Sequence, residues 1–397
     1  MFIQRAPWWI YLVAAIYVLA FFFNVRQEAL GPAPAGWTLA LPKLNVVNVS
    51  PSSPVQQAGL RAGDLLESVN GQPLRAMPDW SLARAHFERN LPVMVQIRRG
   101  DQHLALHFVI SAPAWSTWNG AHALAVMVYY FARFVLLLLA IAIAFTHPQQ
   151  QSARLLALMF AIGATAEGYP SSGWAASLHH LPALLAIPIY LAVASCLLSP
   201  LVLLFFVGSF PRPRHWRKWQ LAVALMPAAI LAISILRSGI AMIYTPALLA
   251  RPWPLVLSAA PLRAIQTTAG VTPLLFVNLF PLHQILTQSA LLKLWLVFSI
   301  LCFAAAFFVL LATYLELDDA HERRRVRAVS LSLLLFTVIV AHNFLARNWT
   351  TWCGTAPPAL FSAPSLLIED ILFLVVPLTL AYSVVTQEPL LPAHSRG

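Results

Sequence analysis

Few residues in this 397-residue sequence pair a reactive side chain with the spacing that chemistry needs. A membrane zinc hydrolase requires His-Glu-x-x-His in one helix, so that two imidazoles share a face with a general base. The only His-Glu is His321-Glu322, and Arg325 stands where the second histidine would be. A Gly-x-Ser-Gly nucleophile turn is broken at Ser172-Gly173, because Pro170 replaces the first glycine. His179 and His180 are adjacent, and sequence neighbours rarely face one metal ion. Phosphate-cradling loops and dinucleotide fingerprints are absent from the sequence. Cys196, Cys302 and Cys353 are too few for a disulfide framework. The first two fall inside apolar runs and read as small core residues. The reading is therefore no catalytic residue, no metal and no cofactor: not an enzyme.

A second group of polar residues lies within apolar runs, where charge is costly and usually faces protein or water. These are Arg133, Glu167, His342, Glu369 and Asp370. Helix rise and span limits put them in the outer half of a helical bundle. Two uses fit: a water-accessible ligand or proton site, or ion pairs that fix helix packing. Arg133 and Glu167 sit on consecutive antiparallel spans, so the sequence predicts that they pair.

The elements that carry these residues follow from composition. Hydrophobic residues make up 59% of the chain and charged residues 10%, against about 25% charged in ordinary soluble domains. Mean hydropathy is +0.73. A soluble enzyme, a disordered chain and a nucleic-acid-binding protein are excluded. The net charge of +11 marks loops on the cytoplasmic side of a membrane protein. Trp8 to Phe23 reads as an uncleaved anchor within residues 1–24. Further spans are expected at about 121–146, 153–174, 182–209, 219–237, 290–314, 328–346 and 366–385, making eight in all.

Arginine and lysine concentrate at 211–219 and 318–327, whereas 175–181 has none and 347–365 has only Arg347. These charges alternate correctly if both chain ends are cytoplasmic. The stretch 238–289 is proline-rich and reads as a long extracytoplasmic loop, with Pro273 to Leu286 as a segment able to dip into the membrane. Residues 121–385 form the membrane domain, and 386–397 a short cytoplasmic tail.

Between the anchor and the second span, charges return and apolar residues alternate. Asn45–Val49, Val93–Ile97 and Leu104–Ile110 read as strands. Asn70-Gly71 is a hairpin turn. Pro78 to Glu88 reads as a short helix with Trp80, Ala83 and Phe87 on one face. Residues 36–112 are thus a small α+β domain outside the cytoplasm.

The run from Val46 to Gly71 contains Ser50-Pro51-Ser52-Ser53-Pro54, Ala58-Gly59-Leu60, Gly63-Asp64 and Asn70-Gly71. Ser53-Pro54 opens a short helix, with Ser53 as cap and Pro54 in the first turn, and Asp64 can bond local backbone amides before the next strand. It resembles the PDZ domains of bacterial envelope proteases of the high-temperature-requirement and tail-specific families. Val55 stands where those domains usually carry alanine. The resemblance implies binding of an extended peptide or protein terminus as an added strand. The groove would lie between Gly36-Trp37-Thr38-Leu39 and the helix Pro78 to Glu88, with Trp37, Leu39, Trp80, Leu82 and Ala83 as contacts. Trp37 and Trp80 also suit plain core roles.

An anchor, an outer PDZ domain and about seven more helices resemble the N-terminal membrane halves of some bacterial sensor proteins. The end of the last helix, Ala381-Tyr382-Ser383-Val384-Val385, fits that pattern, but the basic linker does not follow. No output domain is legible, so signalling would pass to a separate kinase or phosphatase. The leading expectation is a non-enzymatic bacterial inner-membrane protein with a periplasmic PDZ domain. The competitors are a stand-alone sensor half, and a membrane enzyme or transporter using the outer polar cluster.

Overall fold

The computed structural model describes residues 6–32, 36–40, 44–74, 80, 83–111, 121–166, 173–213, 216–243, 290–353 and 375–384. It has two parts, a small β-rich unit and a larger set of helices.

The β-rich unit is an antiparallel sheet of six strands: β1 (Trp37–Ala40), β2 (Asn45–Val49), β3 (Leu65–Val69), β4 (Gln72–Pro73), β5 (Pro92–Arg99) and β6 (Gln102–Val109). Their order is β1-β2-β3-β5-β6, with β4 paired to β3. The turn chemistry read from the sequence explains the connections. Asn70 and Gly71 both adopt positive φ, as a two-residue hairpin between β3 and β4 requires. Helix α2 (Pro54–Gln57) has Ser53 as its cap, with the Ser53 side chain accepting from the Gln56 N–H and Pro54 in its first turn. Val46, Val55, Leu66, Val95 and Ile97 form the centre of the core, closed on one side by Trp80 and Phe87.

The helices are α1 (Trp8–Leu30), α3 (Ala121–Thr146), α4 (Gln151–Thr165), α5 (Trp174–His179), α6 (Ala183–Ala194), α7 (Ser199–Gly208), α8 (Lys218–Ile243), α9 (Ala290–Glu316), α10 (Ala320–Cys353) and α11 (Val375–Val384). A 3₁₀ turn at Ser195–Leu198 joins α6 to α7. Among the described residues, four segments are long and apolar enough to cross a membrane: Trp8–Leu30, Val126–Thr146, Ala183–Gly208 and Val297–Glu316. Ala183–Gly208 is the most deeply buried of the four.

Four of the eight expected spans are thus shown among the described residues, and several boundaries differ from the sequence reading. The anchor does not stop at Asn24. Helix α1 runs on through Gln27 to Leu30, because Gln, Glu, Ala and Leu are good helix formers and only Gly31-Pro32 stops it. The span expected at 153–174 divides. Helix α4 ends at Thr165, where Ala166 takes extended ψ, and α5 starts afresh at Trp174 after a left-handed Gly173. The expected loops at 318–327 and 347–365 both lose residues to α10, one helix of 34 residues. Its start is capped by Asp319, whose Oδ1 accepts from the His321 N–H. Helix α8 reaches Ile243. Residues 244–289, including Pro273 to Leu286, lie outside the described residues.

Candidate functional site

The groove implied by the sequence begins with an edge strand. Among the described residues, strand β1 pairs only with β2, Trp37 opposite Val49 and Ala40 opposite Asn45, with a bulge between Thr38 and Leu39. Gly36 precedes it at φ +82°, packed against Ser53, and its carbonyl accepts from the Ser50 N–H at 2.7 Å. Residues 80 and 83–85 are helical beside this strand. The two pieces meet through aromatic rings: Trp37 and Trp80 have centroids 5.2 Å apart, and Trp37 meets Phe108 edge-on at 5.4 Å.

The five expected peptide contacts are placed unequally. Trp80 and Ala83 are buried in the domain core. Trp37 and Leu39 are half-buried and lean on that core from β1. Leu82 lies outside the described residues. The indole N–H of Trp37 is buried and finds no acceptor among the described residues. A buried donor in that state costs about 1–3 kcal/mol.

The Gly63-Asp64 step does more than local capping. Asp64 is 1% exposed and accepts from the Arg61 N–H at 2.8 Å, as the sequence suggested. It also accepts from Arg99, Nε to Oδ1 at 2.7 Å and Nη2 to Oδ2 at 2.8 Å. Nη2 of Arg99 further donates to the Gly59 carbonyl at 2.7 Å. One guanidinium therefore ties the Ala-Gly-Leu turn and the Gly-Asp turn to the end of β5. Burial alone would raise the Asp64 carboxyl, but the hydrogen bonds and charge of Arg99 and the Arg61 amide outweigh it and hold it below the ordinary value.

Sequence reasoning did not find the seat of this domain on the helices. The Gly173 N–H donates to the Arg84 carbonyl at 3.0 Å. Gly173 has φ +75°, and a Cβ there would overlap the Phe87 carbonyl oxygen and reach 2.8 Å from Pro32 Cγ. Glu88 Oε2 stands 3.6 Å from His180 Nε2. Ala85 is buried within the helical core cluster rather than the domain's own. The groove turn thus has one face in the sheet core and the other on the bundle. From Gly173 the contact continues inward. Trp174 stacks on Tyr190 of α6 at 6.2 Å, and α6 leads to Ser195, whose hydroxyl lies 3.0 Å from the Tyr17 hydroxyl of α1.

Of the expected polar cluster, Arg133 and His342 are described, on α3 and α10 respectively. Glu167, Glu369 and Asp370, and with them the expected Arg133–Glu167 pair, lie outside the described residues. Arg133 is 8% exposed and its guanidinium carbon sits 4.1 Å from the Tyr129 ring centroid. Its Nη1 has no hydrogen-bond acceptor among the described residues.

The basic segments expected on one side of a membrane do meet. Arg212 pairs with Glu322 at 2.9 Å, and Arg325 donates to the Ser383 carbonyl of α11.

The family model described as a PDZ domain matches residues 46–86, from β2 to the helical turn. The β-rich unit is a PDZ domain, a module that takes up extended peptides beside a strand. The match leaves out β1, β5 and Arg99, so the edge strand and the guanidinium tie are known here from the structure. No curated protein matches the chain.

Proposed function

We propose that the chain is a non-enzymatic protein of a bacterial inner membrane whose periplasmic PDZ domain, of the envelope-protease kind, binds a peptide or protein terminus and reports it to the helices. The ligand would add as a strand to β1, with Trp37 and Leu39 beneath it. The observation that carries this reading is the double role of the turn at 83–88. It borders the groove, and it is bonded to Gly173 and His180 of the helical part. A strand inserted beside the turn must shift it or hold it, and either outcome changes its seat on the bundle.

Membrane placement is supported by four long apolar helices and by the convergence of Arg212, Glu322, Arg325 and Ser383 at one end. The same convergence favours a second reading, in which a separate kinase or phosphatase reads that face, since α11 is tied to it directly.

The test is a titration of the purified full-length protein, in detergent, with a peptide library of free and amide-capped C-termini. Saturable binding that Leu39→Lys abolishes is the expected result. Sequence-independent binding, unchanged in that variant, would remove the peptide reading.

A further inference from the structure

Helices α1, α3 and α4 enclose a cavity of about 540 Å³ away from the PDZ domain, near the start of α1 and the start of α4. It is several-fold larger than the roughly 150 Å³ void that takes up benzene in a well-studied protein core. Its depth comes from alanines where larger side chains would close the gap: Ala14 on α1, Ala140 and Ala144 on α3, Ala157 and Ala161 on α4. Helix α1 lies at the perimeter of the bundle, since Trp8, Tyr11 and Leu12 on it are exposed. The slot is therefore at the lipid-facing surface if the bundle spans a membrane.

One end of the slot differs in chemistry from the rest. Trp9, Gln151 and Arg154 line it there. The Arg154 guanidinium carbon is 5.8 Å from the Trp9 ring centroid. Among the described residues, no carboxylate pairs with Arg154. The first turn of α4 carries no acidic residue, and Gln150 provides no side-chain cap. From Arg154 to Ala161 the slot runs about 10 Å along α4, within the roughly 15 Å of one bilayer leaflet. An apolar channel that fits within one leaflet, with a cation at its mouth that has no carboxylate partner among the described residues, complements the headgroup-proximal part of an acyl chain joined to an anionic headgroup.

We propose that this slot binds one acyl chain of an anionic phospholipid, with the headgroup phosphate on Arg154 and Gln151. The proposal rests on the membrane reading above. A bound chain would complete the packing between α1 and its neighbours, and so set how firmly α1 presents Tyr17 to Ser195.

The experiment is native mass spectrometry of the full-length protein in mild detergent, after mixing with phosphatidylglycerol or phosphatidylcholine. The expected result is retention of a single phosphatidylglycerol and little phosphatidylcholine. Arg154→Gln should weaken retention by roughly tenfold or more, the size of one charge-assisted hydrogen bond, and Arg154→Lys should restore most of it. Ala157→Phe, which fills the slot and leaves Arg154 in place, should also abolish retention, with thermal melts confirming that each variant is folded. Equal retention of both lipids, or indifference to both substitutions, would overturn the site. So would full displacement by tail-less glycerol phosphate. Alkaline carbonate extraction of cell membranes is run alongside. Release of the chain there would defeat the membrane reading itself, whereas retention in the membrane with indifference to the two variants defeats the lipid site alone.

Discussion

Replacing Gly173 by alanine tests whether the PDZ domain is mechanically joined to the helices. The left-handed conformation costs a non-glycine residue about 1–2 kcal/mol. The added Cβ would overlap the Phe87 backbone oxygen and press on Pro32. Backbone does not yield as a flexible side chain does, so the turn at 83–88 must separate from Gly173. Separation gives up the Gly173–Arg84 hydrogen bond, about 0.5–1.5 kcal/mol. It also gives up the partly exposed Glu88–His180 pair, about 0–1 kcal/mol. The sum is about 1.5–4.5 kcal/mol of local stability. Hydrogen exchange followed by mass spectrometry on the full-length protein reads this directly, as faster exchange in peptides covering 83–90 and 173–180. By the same arithmetic the acceleration is roughly 10- to 2,000-fold. Gly63→Ala is the matched control, because Gly63 has φ +92° and a Cβ added there would meet nothing within 4 Å. It carries a backbone penalty of similar kind without touching the seat. If Gly173→Ala and Gly63→Ala leave exchange at 83–90 alike, the domain does not rest on the bundle there and the coupling reasoning fails.

Arg99→Met should destabilise the PDZ domain by about 2–3 kcal/mol, somewhat under the usual cost of stranding a buried charge because Arg99 is partly exposed; exchange protection in β3 and β5 would report it, and Asp64→Asn in the same chain should return part of the loss. Because the folded-state Asp64 carboxyl is held below its ordinary value, its contribution is full above about pH 4 and fades as pH falls through the folded value. The gap between wild type and Arg99→Met should therefore narrow in acid, and a gap that widens there would contradict the assignment. An alkaline-phosphatase fusion after Ile110 should be active and fusions after Arg217 or at Gly397 silent; the opposite pattern would invert the topology. Arg133→Met and Tyr129→Leu should show a coupling of about 1–2 kcal/mol in a double-mutant cycle of thermal stability, from the cation over the ring, and strict additivity would mean that the contact contributes nothing.

What was legible in the sequence is what local chemistry dictates. The cap at Ser53, the hairpin at Asn70-Gly71 and the amide bond to Asp64 each need particular residue types at fixed spacing, and each is present in the structure. Arg99 was not legible, because its partners are 35 and 40 residues away in sequence and nothing near it marks a strand-end arginine as a tie. The role of Gly173 was hidden for the same reason. The sequence placed it at the end of the span expected at 153–174, and its contact with Arg84 is purely tertiary. Helix ends were misjudged where apolar composition and helix continuity part company. Asn24 and Gln27 looked like the wet end of an anchor, yet both are buried within α1, and Asn24 donates to the Thr165 carbonyl. Composition ran on past Thr165, but the backbone turned there.

The chain of contacts from the groove turn inward bears on which functional class fits. Trp174 follows Gly173 directly and stacks on Tyr190. Tyr190 lies on a helix that contains Pro188 and gives way to a 3₁₀ turn at Ser195, where the Tyr17 hydroxyl of α1 is met. Coupling between distant sites needs an element with two discrete arrangements, and spatial continuity alone does not supply one. Proline removes a helix hydrogen bond and a 3₁₀ segment is less well bonded than α-helix. Along this line of contacts, the stretch from Pro188 to Leu198 is the least regularly bonded helical part. A PDZ domain that served only as a spacer would need no such seat. If a ligand strand adds beside the groove turn, the backbone bond of Arg84 with Gly173 is where the helices would register it. This is why the exchange behaviour of Gly173→Ala, rather than peptide affinity alone, separates a receptor from a tethered binding module.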